Sequence, residues 1–252
     1  MPEFKDHFSS HATDYAKYRP HYPAVLFEYL ASLANAHETA WDCATGNGQA
    51  ALGLAPYFQQ VVATDPSAQQ IDNAIRHEKV SYRVAPAEDS GIPSHSIDLI
   101  TVAQALHWFH FDRFYAEVRR VLKPQGVLAA WCYNFLRCEP EVDRILLRYY
   151  TEIIGSFWPP ERKLLEDNYR DVSFPLEEMS APPFEMTTRW DARDLLGYLG
   201  TWSATRRFIS ERGKDPIELI EREILEVWRE PEVKRTIRWP LHLRVGTINP
   251  VA

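Results

Sequence analysis

Cysteine is scarce in this chain, and an excess of positive charge is missing altogether. Three cysteines (Cys43, Cys132 and Cys138) stand among 252 residues, an odd count without CxxC or other paired spacing. This excludes a disulfide framework, a cysteine zinc site and a redox dithiol, and leaves buried thiols in a reducing cytoplasm as the expectation. No metal is expected. Lys and Arg number 28 against 35 Asp and Glu, a net charge of −7, and no basic run occurs. Sequence-independent nucleic-acid binding rests on clustered Lys and Arg, so nucleic acid is not an expected partner. No stretch approaches the roughly 18 apolar residues of a membrane span, and residues 1–20 carry no apolar run of signal-peptide length. A membrane partner is not expected either. Internal repeats and low-complexity segments are absent.

What is there begins with Ala40-Trp41-Asp42-Cys43-Ala44-Thr45-Gly46-Asn47-Gly48-Gln49, which reads as an apolar strand breaking into a glycine-containing turn and then a helix. Glycine lets a backbone turn sharply and approach a ligand that a Cβ would hold off. Val61-Val62-Ala63-Thr64-Asp65 is a second apolar strand, ending in a carboxylate 19 residues after Gly46. An acid at about that distance past a Gly-rich turn is placed to accept ribose hydroxyls. The pair therefore indicates a nucleoside-containing cofactor at the carboxyl edge of a parallel sheet. Asp42 at the head of the turn would repel a pyrophosphate and suits a cationic ligand. With the third glycine of the dinucleotide fingerprint also missing, a nicotinamide-dependent oxidoreductase is disfavoured.

Apolar spacing places the elements. Helices are expected over Pro23–Leu33, Gly48–Phe58, Ser67–His77 (with Pro66 at its first helical position), Asp112–Leu122, Glu141–Ile154, Glu161–Tyr169, Asp191–Glu211 and Pro216–Glu230. Strands are expected over Thr39–Ala44, Gln60–Asp65, Ser81–Ala87, Ser96–Ala103, Gly126–Tyr133, Glu185–Trp190 and Lys234–Gly246. Alternation of this kind gives an α/β fold with a doubly wound, mostly parallel sheet. Residues 1–135 are expected to hold an N-terminal arm and the Rossmann-like core. Residues 136–182 are a helical and loop insertion, and 183–252 carry the last strands with further helices.

The turn Asp42-x-Ala44-x-Gly46-x-Gly48 resembles motif I, D/E-x-G-x-G-x-G, of the class I S-adenosylmethionine (SAM) dependent methyltransferases. Ala44 replaces the first glycine, and an alanine does not sit freely at positive φ. Ala87-Glu88-Asp89 closes the third strand, where that family carries an acid or amide near the adenine. Lys123-Pro124-Gln125-Gly126 looks like its L-K-P-G-G turn, with Gln125 for the first glycine. Ala103-Gln104-Ala105-Leu106-His107-Trp108-Phe109 resembles the methyltransferase type 11 branch that contains trans-aconitate methyltransferase. Phe8, Tyr15, Tyr18 and Arg19-Pro20 are similar to the arm that closes over SAM in such enzymes, although these aromatics could equally pack on the domain. The resemblance covers roughly residues 8–135.

The resemblance implies a seven-stranded sheet, its last strand antiparallel between strands five and six, with a helical lid. It implies SAM as cofactor and S-adenosylhomocysteine as product. Tyr18, Arg19, Asp42, Ala44, Gly46, Gly48, Asp65, Pro66, Ser67, Ala87, Glu88, Gln104 and Ala105 would surround the cofactor. His107, Trp108, Tyr133, Trp202 and Arg206 would line the acceptor site, with Trp131 and Asn134 as weaker candidates and Arg189 and Arg207 flanking the lid. His107 is open to two readings, a general base with an ordinary pKa near 6.5 or a hydrogen-bonded wall residue. An arginine of the lid is either solvated or a bidentate clamp for an acceptor carboxylate. The function expected is methyl transfer to a small-molecule acceptor, a carboxylate of the trans-aconitate kind among the candidates, by a monomer or homodimer. A SAM-binding sensor or scaffold without turnover is the alternative.

Overall fold

The computed structural model describes residues 20–248, so Tyr18, Arg19 and the expected flap lie outside the described residues. The elements run α1 (Ala24–Ser32), β1 (Thr39–Cys43), α2 (Gln49–Leu54), β2 (Gln60–Asp65), α3 (Ala68–Asp72), β3 (Val80–Val84), β4 (Ile97–Ala103), α4 (Phe111–Val121) and β5 (Leu122–Tyr133). There follow α5 (Pro140–Arg148), α6 (Arg162–Glu166), β6 (Glu177–Met179), β7 (Phe184–Trp190), α7 (Ala192–Gly200), α8 (Ser203–Arg212), α9 (Glu221–Trp228) and β8 (Arg235–Thr247). The strands form one sheet in the order β3-β2-β1-β4-β5-β8-β6, with β7 also paired to β8. The pairs from β3 through β5 are parallel, and β8 runs antiparallel to β5, β6 and β7.

Strand residues alternate between two apolar layers because successive side chains point to opposite faces. Ala40, Val61, Ala63, Leu99, Val127, Ala129 and Trp131 face α1, α2, α5, α7 and α9. Trp41, Val62, Ile100, Val102, Leu128, Ala130 and Cys132 face α4 and α6. Helices thus cover both faces, as burial of a parallel sheet requires. The chain winds outward from β1 to β3 and then returns to place β4 on the other side of β1. The carboxyl ends of β1 and β4 flank this switch point, where open α/β sheets bind ligands.

Four expectations need correction. The sheet of the described residues has eight strands rather than seven. Glu177–Met179 pairs with the carboxyl half of β8 and Phe184–Trp190 with its amino half, so one sheet position is shared by two strands interrupted by Pro182-Pro183. The helix after β2 has only five residues and starts later, because Ser67 is its N-cap and accepts the Gln70 amide; Pro66 lies outside it. Asp191–Glu211 is two helices: the Thr201 hydroxyl donates to the Tyr198 carbonyl at the end of α7, and the chain bends there to turn Trp202 inward. The helix expected to reach Ile154 ends at Arg148 and widens into a π turn over Tyr149–Ile153.

Candidate active site at the switch between β1 and β4

The turn after β1 is built around Asp42. Its carboxylate is fully buried and accepts the Thr45 hydroxyl at 2.5 Å and the Thr101 hydroxyl of β4 at 2.8 Å. Burial pushes this carboxyl up to about 6 in spite of those hydroxyls. Asp42 is therefore an internal tie of the turn. Ala44 lies at φ +55°, Gly46 at +56° and Gly48 at +88°. The alanine adopts the left-handed conformation that its Cβ disfavours, which costs roughly 1–2 kcal/mol, and the surrounding bonds hold it there. A Cβ on Gly46 would meet nothing nearer than Gln70 Oε1 at 4.0 Å, so this backbone borders open space. A Cβ on Gly48 would instead lie 2.2 Å from the Tyr82 hydroxyl.

Asp65 ends β2 beside this turn. It accepts the Gly46 amide and the Ser67 amide, each at 2.9 Å. The Pro20–Tyr22 segment crosses the start of α2: Gln49 accepts from the Tyr22 amide and donates to the Pro20 carbonyl, both at 3.3 Å. Ala87 is buried beyond β3, and Glu88 accepts the His110 amide at 2.8 Å, fixing the start of α4. Burial above all, and then the charges of Asp42, Glu88, Asp65 and Glu117, push the Cys43 thiol up, so carboxylates gather at this end of the crevice.

The other end follows β4 and β5. Gln104 lies at φ +58°, and its side-chain amide pairs with the backbone of Tyr133 at 2.9 and 2.8 Å. Its side chain stitches the two strand ends together, so it is the backbone of Gln104-Ala105 that borders the crevice. Leu106–Trp108 is a single 3-10 turn. His107 is buried, its Nδ1 2.9 Å from the Tyr169 hydroxyl, and half-exposed Trp108 stacks on it at 4.6 Å. Burial, helped by the charge of Arg162, holds the imidazole down at about 3. At neutral pH His107 is uncharged, and its burial against Tyr169 and Trp108 supports the wall reading.

Sequence reasoning did not single out several side chains that gather beside His107 and Trp202. Asn168 and Tyr169 occupy consecutive left-handed positions, φ +56° and +58°, which aim the tyrosine at His107; Asn134 donates to Asn168 beside them. Strain of about 1–3 kcal/mol per residue persists only where surroundings enforce it, and such residues concentrate at ligand sites. Tyr150, Trp158 and Trp202 form an aromatic wall with centroids 4.9–5.8 Å apart. The π turn supplies Tyr150, in keeping with the frequency of such turns at functional sites. Arg162 lies over Trp158 at 4.5 Å and Tyr150 at 5.6 Å. In the sequence this segment shows a loop signal, Trp-Pro-Pro, and a short helix over Glu161–Tyr169, but neither singles out any of these side chains.

Trp202 is buried within this aromatic cluster, and Tyr133 is buried at the end of β5. Trp131 faces the core, edge-on to Tyr22 at 5.3 Å, and is no part of the crevice. Arg189 donates to the Lys234 carbonyl, and Arg207 pairs with Glu211 on an exposed helix face. Arg206 is half-buried one turn after Trp202. Among the described residues no group of His, Cys, Asp and Glu is arranged to hold a metal ion, and no helix is long and apolar enough to cross a membrane.

Residues 41–130 match the family model described as a methyltransferase domain. A Dictyostelium discoideum protein named as a methyltransferase is 35% identical over 231 residues, covering 90% of this chain and 88% of its own. A solved structure from Anaeromyxobacter dehalogenans, named as a type II methyltransferase, superposes with a TM-score of 0.88 at 46% identity, over 92% of this chain and 99% of that one. The chain belongs to the class I SAM-dependent methyltransferases. A Saccharomyces cerevisiae protein named as a SAM-dependent methyltransferase is 30% identical over 172 residues, 63% of this chain and 56% of its own. A Bacillus halodurans structure at 19% identity, with a TM-score of 0.52 over 90% of this chain and 99% of that one, shares the fold.

SAM is the cofactor of this methyltransferase, and the residues present fit it. The open backbone at Gly46 leaves room for close approach, Asp65 ends β2 directly beside that turn, and the carboxylates of this end of the crevice suit a cation. When bound, SAM supplies an electrophilic methyl group on a sulfonium sulfur. The family's glycine-to-alanine and glycine-to-glutamine departures do not disturb the backbone: Gln125, like Ala44, is left-handed at φ +63°, and it accepts from Asn35 at 2.9 Å.

Proposed function

We propose that this methyltransferase acts on a small-molecule acceptor that carries a carboxylate, as trans-aconitate does. The observation that carries this reading is the division of charge along the crevice. Carboxylates cluster at the end that receives the cationic cofactor, and the positive charge of Arg162 lies at the other end beside a neutral His107. An anionic acceptor would be drawn to the second end and kept apart from the first. A carboxylate is already ionised at neutral pH, so its oxygen attacks the methyl group without a base, consistent with a histidine that does not take a proton.

The protein's contribution is then alignment and exclusion of water rather than proton transfer. Asp65, the Ala44–Gly48 backbone, Pro66, Ser67, Ala87, Glu88 and the Gln104-Ala105 backbone are assigned to the cofactor. His107, Trp108, Tyr133, Trp202 and Arg206 are assigned to the acceptor side, joined by Tyr150, Trp158 and Arg162. Three free thiols suit a reducing cytoplasm, and the net charge of −7 without a basic run argues against nucleic acid. The reading needs no partner beyond the acceptor, in a monomer or homodimer. Incubation with SAM and a panel of small carboxylic acids, followed by mass detection of methyl esters, tests it. Ester formation is expected. SAM binding without methyl transfer to any acceptor would favour the sensor or scaffold.

A further inference from the structure

Arg162 opens α6, which packs through Leu165 into the same apolar layer as Leu106. Its guanidinium rests on the faces of Trp158 and Tyr150, and its Nε donates to the Tyr150 hydroxyl at 3.0 Å. That hydroxyl in turn donates to Glu166 at 2.6 Å. Two rings and one hydrogen bond therefore fix the plane of the guanidinium. Its two terminal nitrogens have no hydrogen-bond partner among the described residues, and Arg162 makes no ion pair there. A planar fork already oriented, half-buried and touching Glu166 only through the Tyr150 hydroxyl matches a carboxylate bidentately at little further entropy cost. Its charge is felt at His107 and at Cys132, on the acceptor side of the crevice.

We infer that Arg162, held by Tyr150 and Trp158, is the specificity-determining residue that selects an anionic acceptor by gripping one of its carboxylates. The inference rests on the carboxylate reading above. It also makes a dicarboxylate or tricarboxylate the favoured acceptor, with one carboxylate held and another presented for methylation. Tyr150 acts as a positioning residue, since it touches the guanidinium rather than the reacting atoms.

The test is calorimetric titration of the full chain, saturated with S-adenosylhomocysteine, with trans-aconitate, glutarate and benzoate and with their neutral methyl esters. Wild type, Arg162→Gln, Arg162→Lys and Tyr150→Phe are compared after their melting temperatures and S-adenosylhomocysteine affinities are matched. A charge-assisted bidentate contact predicts that Arg162→Gln weakens the polycarboxylates by about 10–100-fold. The neutral esters should be unaffected, with Arg162→Lys and Tyr150→Phe intermediate. Arg162→Gln protein that binds the acids as wild type does would overturn the inference and leave the carboxylate reading standing. Should Arg162→Gln fail to fold, full retention of acid binding by Arg162→Lys and Tyr150→Phe would overturn it equally, because both disturb the oriented fork. Wild type that binds none of the acids would overturn the carboxylate reading and this inference together.

Discussion

Replacing His107 by asparagine should change how stability depends on pH more than it changes stability itself. Asparagine offers an oxygen about where Nδ1 stands, so the Tyr169 hydroxyl keeps an acceptor, but it cannot titrate. In the wild type, burial holds the folded-state imidazole at about 3, while the unfolded chain titrates near 6.5. Only the unfolded state takes up the proton between those values. Stability from this group is therefore intact above pH 6.5 and is lost as pH falls from 6.5 towards 3. Each pH unit in that window is worth about 1.4 kcal/mol, so wild type loses about 2 kcal/mol by pH 5 that His107→Asn does not lose. Urea unfolding of both proteins at pH 7.5, 6 and 5, at one ionic strength, measures the gap, and contributions of all other groups cancel in it. The gap should close, or reverse, by about 2 kcal/mol between pH 7.5 and 5. A constant gap would mean that the imidazole titrates normally in the folded state, and this support for the wall reading would fall with it.

Asp65→Ala should weaken SAM binding by about 1–3 kcal/mol, the range for losing a buried charged hydrogen-bond partner; unchanged affinity in calorimetry would place the ribose elsewhere. Gly53→Ala should destabilise the fold by about 1–3 kcal/mol through overpacking, because its Cβ would lie 2.2 Å from the Phe27 ring of α1. For a chain of this length that is a fall of roughly 2–12 °C in melting temperature, and a melting curve identical to wild type would show that α1 shifts freely on α2.

The parallel half of the fold was legible in the sequence because β1, β2 and β4 are short, apolar on both faces and bounded by a turn signal. β2 runs over Gln60–Asp65 as its pattern indicates, and β1 and β4 end where the turn and the Gln104–Trp108 segment leave the sheet. Motif I was legible too, but its internal bonding was not: Asp42 also ties Thr45 to Thr101. Spacing reveals where a carboxylate sits along the chain and not which groups its oxygens meet. The carboxyl-terminal part resisted for a different reason. β6 has three residues, too few to show a period of two, and the bend at Thr201 depends on a hydroxyl-to-carbonyl bond that leaves the apolar spacing intact. Arg162 starts and Tyr169 follows a short helix after a proline-rich loop, too brief for its periodicity to say which side chain points inward. Arginines near Trp202 looked the better clamp, yet Arg189 and Arg207 are taken by Lys234 and Glu211.

The most direct test of the account is calorimetric titration of ligand-free, folded protein with SAM, S-adenosylhomocysteine and NAD. Binding of SAM and S-adenosylhomocysteine at micromolar concentration, with none of NAD, is the predicted result. It would show that a turn with alanine held at positive φ still cradles the cofactor. No binding of SAM by verified ligand-free protein would contradict the account, because the Asp42–Gly48 turn and Asp65 would then form the family's backbone without its site.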